Sequence, residues 1–236
     1  MTTSGTTAFN PTMQDCVEEA FERCGAELRT GYDLRTSRRS LNLLLAEWAN
    51  RGINLWTIDS STIAMVAGTA AYNLPVDTVD LIDFVIRTGT GLNQQDIAIS
   101  RISVDTYSSL PNKTAQGRPI QIWINRKTGQ TNASSVIQYP TVTFWPVPDQ
   151  DDYYTFVYWR LRRMEDAGNG DTNQDVPFRF IPALIAGLAY HLSLKIPGAM
   201  ERTPMLKAMY DEAWQEAADE DREKTSMMIV PRIRRL

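Results

Sequence analysis

Residues 41–56 constrain the fold more than any other stretch of this 236-residue chain, because a helical pattern ends within them and an extended pattern begins. Four large apolar residues recur at the i, i+3, i+4 and i+7 spacing of one buried helix face: Leu41, Leu44, Leu45 and Trp48. Gly52 follows the last turn, where a left-handed C-cap favours a residue without a Cβ atom. Ile53, Leu55 and Trp56 then predict a change toward strand. The pattern therefore predicts a helix packed on a core, followed by a crossover into a β region.

Two helices are predicted before the β region. Thr12 can cap the first helix, whose apolar stripe ends near Gly25 or Leu28. The second helix runs from Asp33, as its N-cap, to Arg51. A polar and glycine-rich segment, residues 166–175, is predicted to be a linker that leads from the β region to the second pair of helices.

Two further helices follow that linker. Pro177 and Pro182 mark the start of the third helix, whose predicted apolar face is Phe178, Ile181, Leu184, Ile185, Leu188 and Leu192. Thr203 is the expected N-cap of the fourth helix, with Pro204 at its first position, and this helix runs to about residue 224. Its predicted inward-facing residues are Leu206, Met209, Ala213 and Ala217, with Trp214 as a further candidate.

Short extended segments fill the region between the two helix pairs. Residues 61–67 and 71–74 are predicted to form one hairpin, and residues 81–87 and 96–102 a second one. A short helix is expected at 103–110, and strands at 119–126, 136–145 and 153–161, the first with Ile120, Ile122 and Ile124 on one face. Strands at such spacing, without alternating helices, indicate an antiparallel sandwich or barrel-like domain.

The predicted fold class is therefore α+β. Residues 12–56 and 176–225 are expected to form an antiparallel helical bundle into which an antiparallel β domain, residues 57–165, is inserted. Residues 226–236 are apolar and basic without a helical period, and we expect them to form an extended C-terminal tail. Apolar side chains in such a segment are typical of a part that docks on another chain.

Composition excludes several classes of protein. The chain has 43% hydrophobic and 22% charged residues, as an ordinary globular protein does, and a net charge of −4 that argues against nucleic-acid binding over the whole surface. No apolar run approaches the roughly 20 residues needed to cross a bilayer. Residues 1–11 lack the basic and apolar segments of a signal peptide, so we expect synthesis in a cytoplasm and no membrane partner.

Cys16 and Cys24 lie roughly 12 Å apart along one predicted helix, too far for a disulfide.

The sequence contains no recognisable reaction centre. His191 is the only histidine, which excludes a histidine-based triad and a multi-histidine metal site. No phosphate-binding loop and no Cys/His cluster occurs, so we predict no catalytic residue, no metal site and no cofactor. Carboxylates for glycoside cleavage can be chosen from Glu47, Asp59 and Asp80, but no spacing singles out a pair.

Three arginines form the most prominent polar group. Arg35, Arg38 and Arg39 cluster on the early turns of the second helix, away from its leucine stripe. They suit a face that contacts phosphates or a protein partner. They also suit a solvated face, or salt bridges to glutamates of the first helix, and this is the simpler interpretation.

Eight short motifs follow one another in a characteristic order from about residue 13 to about residue 222. They are Trp48-x-Asn50-x-Gly52-Ile53-Asn54-Leu55-Trp56, Tyr72-x-Leu74-Pro75, Gly117-Arg118-Pro119, Trp145-Pro146-x-Pro148-Asp149, Asp175-x-Pro177, Ala183-Leu184-x-x-Gly187-Leu188-Ala189, Lys195-x-Pro197 and Tyr210-x-x-Ala213. In this order and spacing the chain resembles the head-to-tail adaptor proteins of short-tailed bacteriophages, also called tail tubular protein A or head-completion adaptors. None of these motifs is catalytic.

The resemblance implies a structural virion protein at the head-tail junction. Such adaptors form a homo-oligomeric ring of about twelve copies beneath the portal protein, extend the channel for double-stranded DNA without reading its sequence, and offer a platform to the next tail component, a nozzle or tail tube. Their C-terminal segment commonly reaches the portal. The portal-binding residues implied for this chain are Met228, Ile229, Val230, Pro231, Arg232, Ile233, Arg234, Arg235 and Leu236.

The resemblance also gives the other candidate groups a role. Arg35, Arg38 and Arg39 become candidates for contact with a neighbouring subunit or with DNA. Trp145, Pro146 and Pro148 lie in a proline-stiffened loop and become candidates for contact with a tail component.

Two other functions are compatible with the residues alone. A tail-associated cell-wall glycosidase would need two carboxylates about 5–10 Å apart in a cleft. A glycan-binding module on the β region would stack sugars on aromatic side chains such as Trp145 and Tyr153.

Overall fold

The computed structural model of the protein describes residues 3–29, 31–52, 55–89, 91–127 and 137–221. Across these ranges the fold is mixed α+β, with five α-helices and two sheets, so the predicted class is confirmed. The helices are α1 (Met13–Cys24), α2 (Gly31–Arg51), α3 (Val104–Ser109), α4 (Ile181–Ser193) and α5 (Thr203–Glu220). The strands are β1 (Ile58–Ala64), β2 (Ala71–Asn73), β3 (Thr78–Thr88), β4 (Gln95–Ala98), β5 (Ser100–Arg101), β6 (Gln121–Asn125), β7 (Thr141–Trp145) and β8 (Tyr154–Arg162).

The chain divides into two compact units. The helical unit comprises Met1–Trp56 and Met164–Leu236, and it contains α1, α2, α4 and α5. The β unit comprises Thr57–Arg163 and contains α3 and the eight strands named above.

Helix α1 begins and ends where its local sequence dictates. Thr12 and Asp15 form a capping box, in which the Thr12 amide donates to Asp15 Oδ2 (2.9 Å) and the Asp15 amide donates to Thr12 Oγ1 (3.2 Å). The bond from the Thr12 backbone, followed by that from its hydroxyl, lowers the pKa of the Asp15 carboxyl. Gly25 ends the helix in the left-handed conformation, with φ at +77°. The predicted cap, end and buried stripe of this helix are confirmed.

Helix α2 buries Leu41, Leu44, Leu45 and Trp48 as predicted, and Gly52 follows it with φ at +74°. Two details of the prediction are wrong. The helix begins at Gly31, so Asp33 lies inside the first turn and is not the N-cap. Leu55–Thr57 form a 3-10 turn in place of a strand, because the Leu55 amide donates to the Asp221 carboxylate (3.3 Å) and the Trp56 indole donates to the Asp175 carbonyl (3.1 Å).

Helix α4 lies at the centre of the helical unit and contacts α1, α2 and α5. An aromatic cluster packs beside it, in which Trp48 of α2 lies 4.8 Å from Trp214 of α5 and 5.6 Å from Phe180 of the turn before α4, measured between ring centroids. The Trp48 indole donates to the Tyr210 hydroxyl (2.9 Å), so the polar atom of this fully buried ring is paired.

Three predictions for α4 and α5 are wrong, because packing in the folded unit decides which side chains are buried and where α5 begins. Phe178 is exposed, since a 3-10 turn before α4 directs Phe180 into the core instead. Met209 is exposed, and Tyr210 beside it is buried. Thr203 is the first residue of α5 and not its N-cap, and its hydroxyl bonds to Ser193 Oγ (3.0 Å).

The polar segment 166–175 is not a free linker. Its carbonyls accept hydrogen bonds from the start of α1, since the Met13 amide donates to Thr172 (2.8 Å) and the Gln14 amide donates to Gly170 (3.0 Å). The amide of Ala167 donates to the Asn42 side chain (2.7 Å). The polar residues of this segment therefore wrap the helical unit and satisfy its exposed backbone groups.

The β unit contains two four-stranded sheets, with strand orders β1-β8-β3-β4 and β2-β7-β6-β5. All their pairs are antiparallel except β5 with β6. The hairpin of β3 and β4 and the short helix α3 are confirmed. The predicted hairpin of β1 and β2 is wrong, because β1 pairs with β8 and β2 pairs with β7 in the other sheet.

The two sheets share one hydrophobic core. Phe144 of β7 and Phe156 of β8 are fully buried and meet edge to face, with ring centroids 4.8 Å apart. Ile122 and Ile124 of β6 point into this core as predicted, whereas Ile120 lies outside the strand and is exposed. This core brings together residues of the two sheets that are distant in sequence, and local sequence patterns could not reveal those contacts.

Gly187 marks the closest packing in the helical unit, and its substitution tests that packing. A Cβ atom at this position would lie 2.8 Å from Tyr210 Cε2 and 3.0 Å from Leu44 Cδ2. We expect Gly187→Ala to lower the free energy of unfolding, because overpacking costs about 1–3 kcal/mol and outweighs a gain of up to about 1 kcal/mol in helix propensity. Urea denaturation measures the effect. Gly31→Ala is the control, since nothing lies within 4 Å of its Cβ position, and equal results for the two variants would contradict this account.

Candidate functional site

The three arginines of α2 make different contacts in the structure. The Arg38 Nε atom donates to the Ala167 carbonyl (3.0 Å), so this side chain holds the wrapping segment 166–175 against α2. Arg35 is exposed, with its guanidinium 5.8 Å from the centroid of the Tyr32 ring. Arg39 is exposed and lies at a cleft. Arg35 and Arg39 therefore remain available to a partner, and Arg38 has a structural contact.

The cleft beside Arg39 has a volume of about 870 Å³. Its lining includes apolar side chains, cations and carboxylates: Phe21, Leu192 and Ile196, then Arg29, Arg39 and Lys195, and Glu27 and Asp33. The Lys195 ammonium also donates to Ser40 Oγ (2.7 Å), which fixes its position at the end of α4. A cleft of this size and mixed character suits side chains of another protein.

A stripe of exposed side chains runs along α2 on the side of Arg35 and Arg39. Tyr32 and Leu43 belong to it and are 66% and 57% exposed. Sequence analysis of buried residues missed Tyr32 and Leu43. The spacing of Tyr32, Arg35, Arg39 and Leu43, at intervals of 3, 4 and 4 residues, places them on one helix face and could have revealed the stripe.

The loop after β7 is more closely packed than the sequence suggests. Trp145 is half-buried, its indole donates to the Asn112 carbonyl (2.9 Å), and its peptide bond to Pro146 is cis. Pro146 is half-buried and Pro148 is buried. Within the described residues, Trp145 and Pro146 thus offer part of their surface to a partner, and Pro148 supports the loop from inside.

The candidate acids for glycoside cleavage are each paired with cations. Asp59 contacts Arg160 (3.3 Å) and Arg162 (3.4 Å). Asp80 contacts Arg101 (3.0 Å) and Arg126 (3.1 Å).

Glu47 belongs to the helical unit, where it pairs with Arg51 and lies 3.4 Å from His191 Nε2. Each of the three candidate carboxylates thus has an arginine partner within its own unit.

No cluster of metal-binding side chains occurs in the described ranges. No described helix is long and apolar enough to span a membrane.

The end of α5 is fixed by an ion pair that sequence reasoning missed. Asp221 follows the helix, is 3% exposed, and pairs with Arg179. The same carboxylate accepts the Leu55 amide, so the end of α5 is held beside the residue that opens the 3-10 turn. The predicted end of this helix near residue 224 and the predicted portal-binding residues 228–236 lie outside the described residues.

The exposed stripe of α2, the cleft beside Arg39 and the loop after β7 are surfaces of the kind that a structural protein offers to its partners. The family model described as SU10 adaptor protein matches residues 11–235. The chain belongs to the SU10 adaptor protein family, which confirms the resemblance to phage head-to-tail adaptors. It is a structural adaptor of a bacteriophage virion, placed at the head-tail junction with other head and tail components, in a family that is generally non-enzymatic. No curated sequence matches the chain.

The different contacts of the three arginines lead to a prediction about stability. We expect Arg38→Ala to lower the free energy of unfolding by about 0.5–1.5 kcal/mol, because the bond to the Ala167 carbonyl is lost. Arg35→Ala and Arg39→Ala should change it by less than about 0.5 kcal/mol, as substitutions on an exposed surface do, whereas Arg38, although also exposed, bonds to the backbone of another segment. Urea denaturation of the three variants checks the order, and equal effects at all three positions would contradict the separation of Arg38 from the other two.

Proposed function

We propose that the chain assembles into a ring of about twelve copies beneath the portal, extends the DNA channel and carries the next tail component, a nozzle or tail tube. The observation that carries this proposal is the match to the adaptor family over residues 11–235. In this proposal the helical unit is an antiparallel bundle and the β unit is a domain inserted between its second and third long helices.

The C-terminal segment is the proposed contact with the portal. Ile229, Val230 and Ile233 would supply apolar anchors, and the arginines at 232, 234 and 235 would pair with carboxylates of the portal. The buried Asp221–Arg179 pair supports this proposal, because it fixes the point from which the segment departs. A fixed starting point reduces the entropy that the segment loses when it docks.

The net charge suits a conduit for double-stranded DNA. A strongly basic channel would hold the phosphate backbone through many ion pairs, whereas this chain has a formal net charge of −4. We propose that DNA passes through the ring without sequence-specific contacts. The half-buried Trp145 and Pro146 form the proposed contact with the next tail component.

The proposal is tested by light scattering coupled to size exclusion, on the chain alone and mixed with a candidate portal ring. We expect a stoichiometric multi-copy complex on the portal. Deletion of residues 227–236 should lower the affinity for the portal at least about tenfold, which corresponds to about 1.4 kcal/mol. Removal of residues 2–8, a polar segment whose described residues are all exposed, is the matched control and should leave binding unchanged.

Two results would contradict the proposal at different points. A chain that ignores every portal tried would contradict the placement beneath the portal. A truncated chain that binds the portal as tightly as the full chain would contradict the role of the C-terminal segment alone.

A further inference from the structure

Helix α2 presents an outer stripe that its own unit does not cover. We define the α2 outer stripe as four exposed residues in the order aromatic, cation, cation and aliphatic: Tyr32, Arg35, Arg39 and Leu43. Ala46 continues it and is also exposed. The opposite face of the helix carries the buried leucines and Trp48. Leu43 is 57% exposed beside two arginines, and such a combination of apolar and arginine side chains is typical of contact surfaces.

Helix α5 presents a second outer stripe of opposite charge. We define the α5 outer stripe as two methionines followed by two glutamates on one helix face: Met205, Met209, Glu212 and Glu216. Met205 and Met209 are 56% and 41% exposed, and both glutamates are exposed. Methionine is flexible and polarisable, and it is common on surfaces that bind other proteins. The two stripes therefore have complementary charge and similar apolar ends.

Arg35, Arg39 and Leu43, continued by Ala46, also match the α5 outer stripe in spacing when the helices run antiparallel. Glu216 then faces Arg35 and Glu212 faces Arg39, since each pair of positions is four residues apart. Met209 faces Leu43, and the last apolar contact joins Met205 to Ala46. Over these positions the two helices differ by no more than one residue, which is 1.5 Å along a helix axis. Charges pair with charges, and apolar side chains pair with apolar side chains.

The two stripes of one copy cannot meet each other. The inner faces of α2 and α5 are in contact within the helical unit, through the Trp48 indole and the Tyr210 hydroxyl (2.9 Å) and through the rings of Trp48 and Trp214. Each outer stripe therefore points away from this shared core. A contact between the two stripes must join two copies, and because the stripes differ, the contact is heterologous and repeats from copy to copy.

From this complementarity we infer that the α2 outer stripe of one copy binds the α5 outer stripe of the next copy in the ring. The inference rests on the ring proposed above and names the surfaces that hold it together. Arg35 and Arg39 are then subunit contacts, and their pairing with glutamates leaves them unavailable to DNA. Helix packing of this kind combines a buried apolar seam with charge pairs that select the partner and the register.

Charge reversal tests the inference with the full-length chain. Arg35→Glu with Arg39→Glu should reduce self-association at least about tenfold, because both stripes of that variant are acidic. Glu212→Arg with Glu216→Arg should do the same, because both stripes are then basic. A mixture of the two double variants should assemble again, with the two kinds of subunit alternating, which a ring of even copy number permits. Light scattering measures the mass with and without the portal ring.

The matched control reverses two other glutamates four positions apart. Glu18 and Glu22 are exposed on α1, and reversal of both to arginine should leave assembly unchanged. Circular dichroism and urea denaturation establish that every variant is folded. If the native chain forms no ring even with the portal, the proposed function fails. If the native chain forms a ring and either double variant does too, or the mixture does not recover, the inference is overturned while the ring stands.

Cross-linking gives a second test that does not depend on charge. Leu43→Cys and Met209→Cys variants, mixed and oxidised, should form a disulfide dimer that joins the two different chains. The native thiols will interfere little, because burial raises the pKa of Cys16 to about 11 and also raises the pKa of Cys24. Asp211→Cys, exposed on another face of α5, is the control partner for Leu43→Cys. Equal cross-linking at positions 209 and 211, or cross-linking at neither, would overturn the inference.

Discussion

The hydrogen bond from the Trp48 indole to the Tyr210 hydroxyl is the interaction on which the helical unit depends. It joins α2 to α5 in a core where Trp48 is fully buried, so its loss would leave the indole N–H without a partner, while the Tyr210 hydroxyl also donates to Glu47 Oε1 (3.4 Å). Burial raises the pKa of Tyr210 to about 12, which keeps its hydroxyl neutral. Gly187 makes this arrangement possible, since any side chain there would meet the Tyr210 ring.

This internal contact also determines what is left on the outside. Because α2 and α5 direct their inner faces to Trp48 and its neighbours, their outer faces carry side chains that the unit cannot use. On α2 these are an aromatic, two arginines and a leucine, and on α5 they are two methionines and two glutamates. A structural adaptor is expected to have such faces, since it must fold as a single chain and also bind several others. The same helices thus provide the core and the contact surfaces.

Charged residues that could suggest chemistry have structural roles in this protein. Asp59 and Asp80 hold arginines at or near the ends of strands, Glu47 is paired on its own helix, and Asp221 with Arg179 fixes the end of α5. The residues therefore agree with the adaptor family in indicating a protein that acts through contacts.

The sequence by itself determined the features that depend on near neighbours in the chain. The capping box of Thr12, the left-handed Gly25, the buried face of α2 and the hairpin of β3 and β4 follow from spacing and turn chemistry, and so does the α+β class. Only the tertiary structure decided the partner of β1, the wrapping of residues 166–175 on the helices, and which arginine of α2 is held by a carbonyl. The same is true of Phe178 and Met209, which a helical period places in the core but which neighbouring helices leave exposed. The physical reason is that local patterns report which side chains prefer burial, whereas the packing of distant segments decides which of them the core has room for.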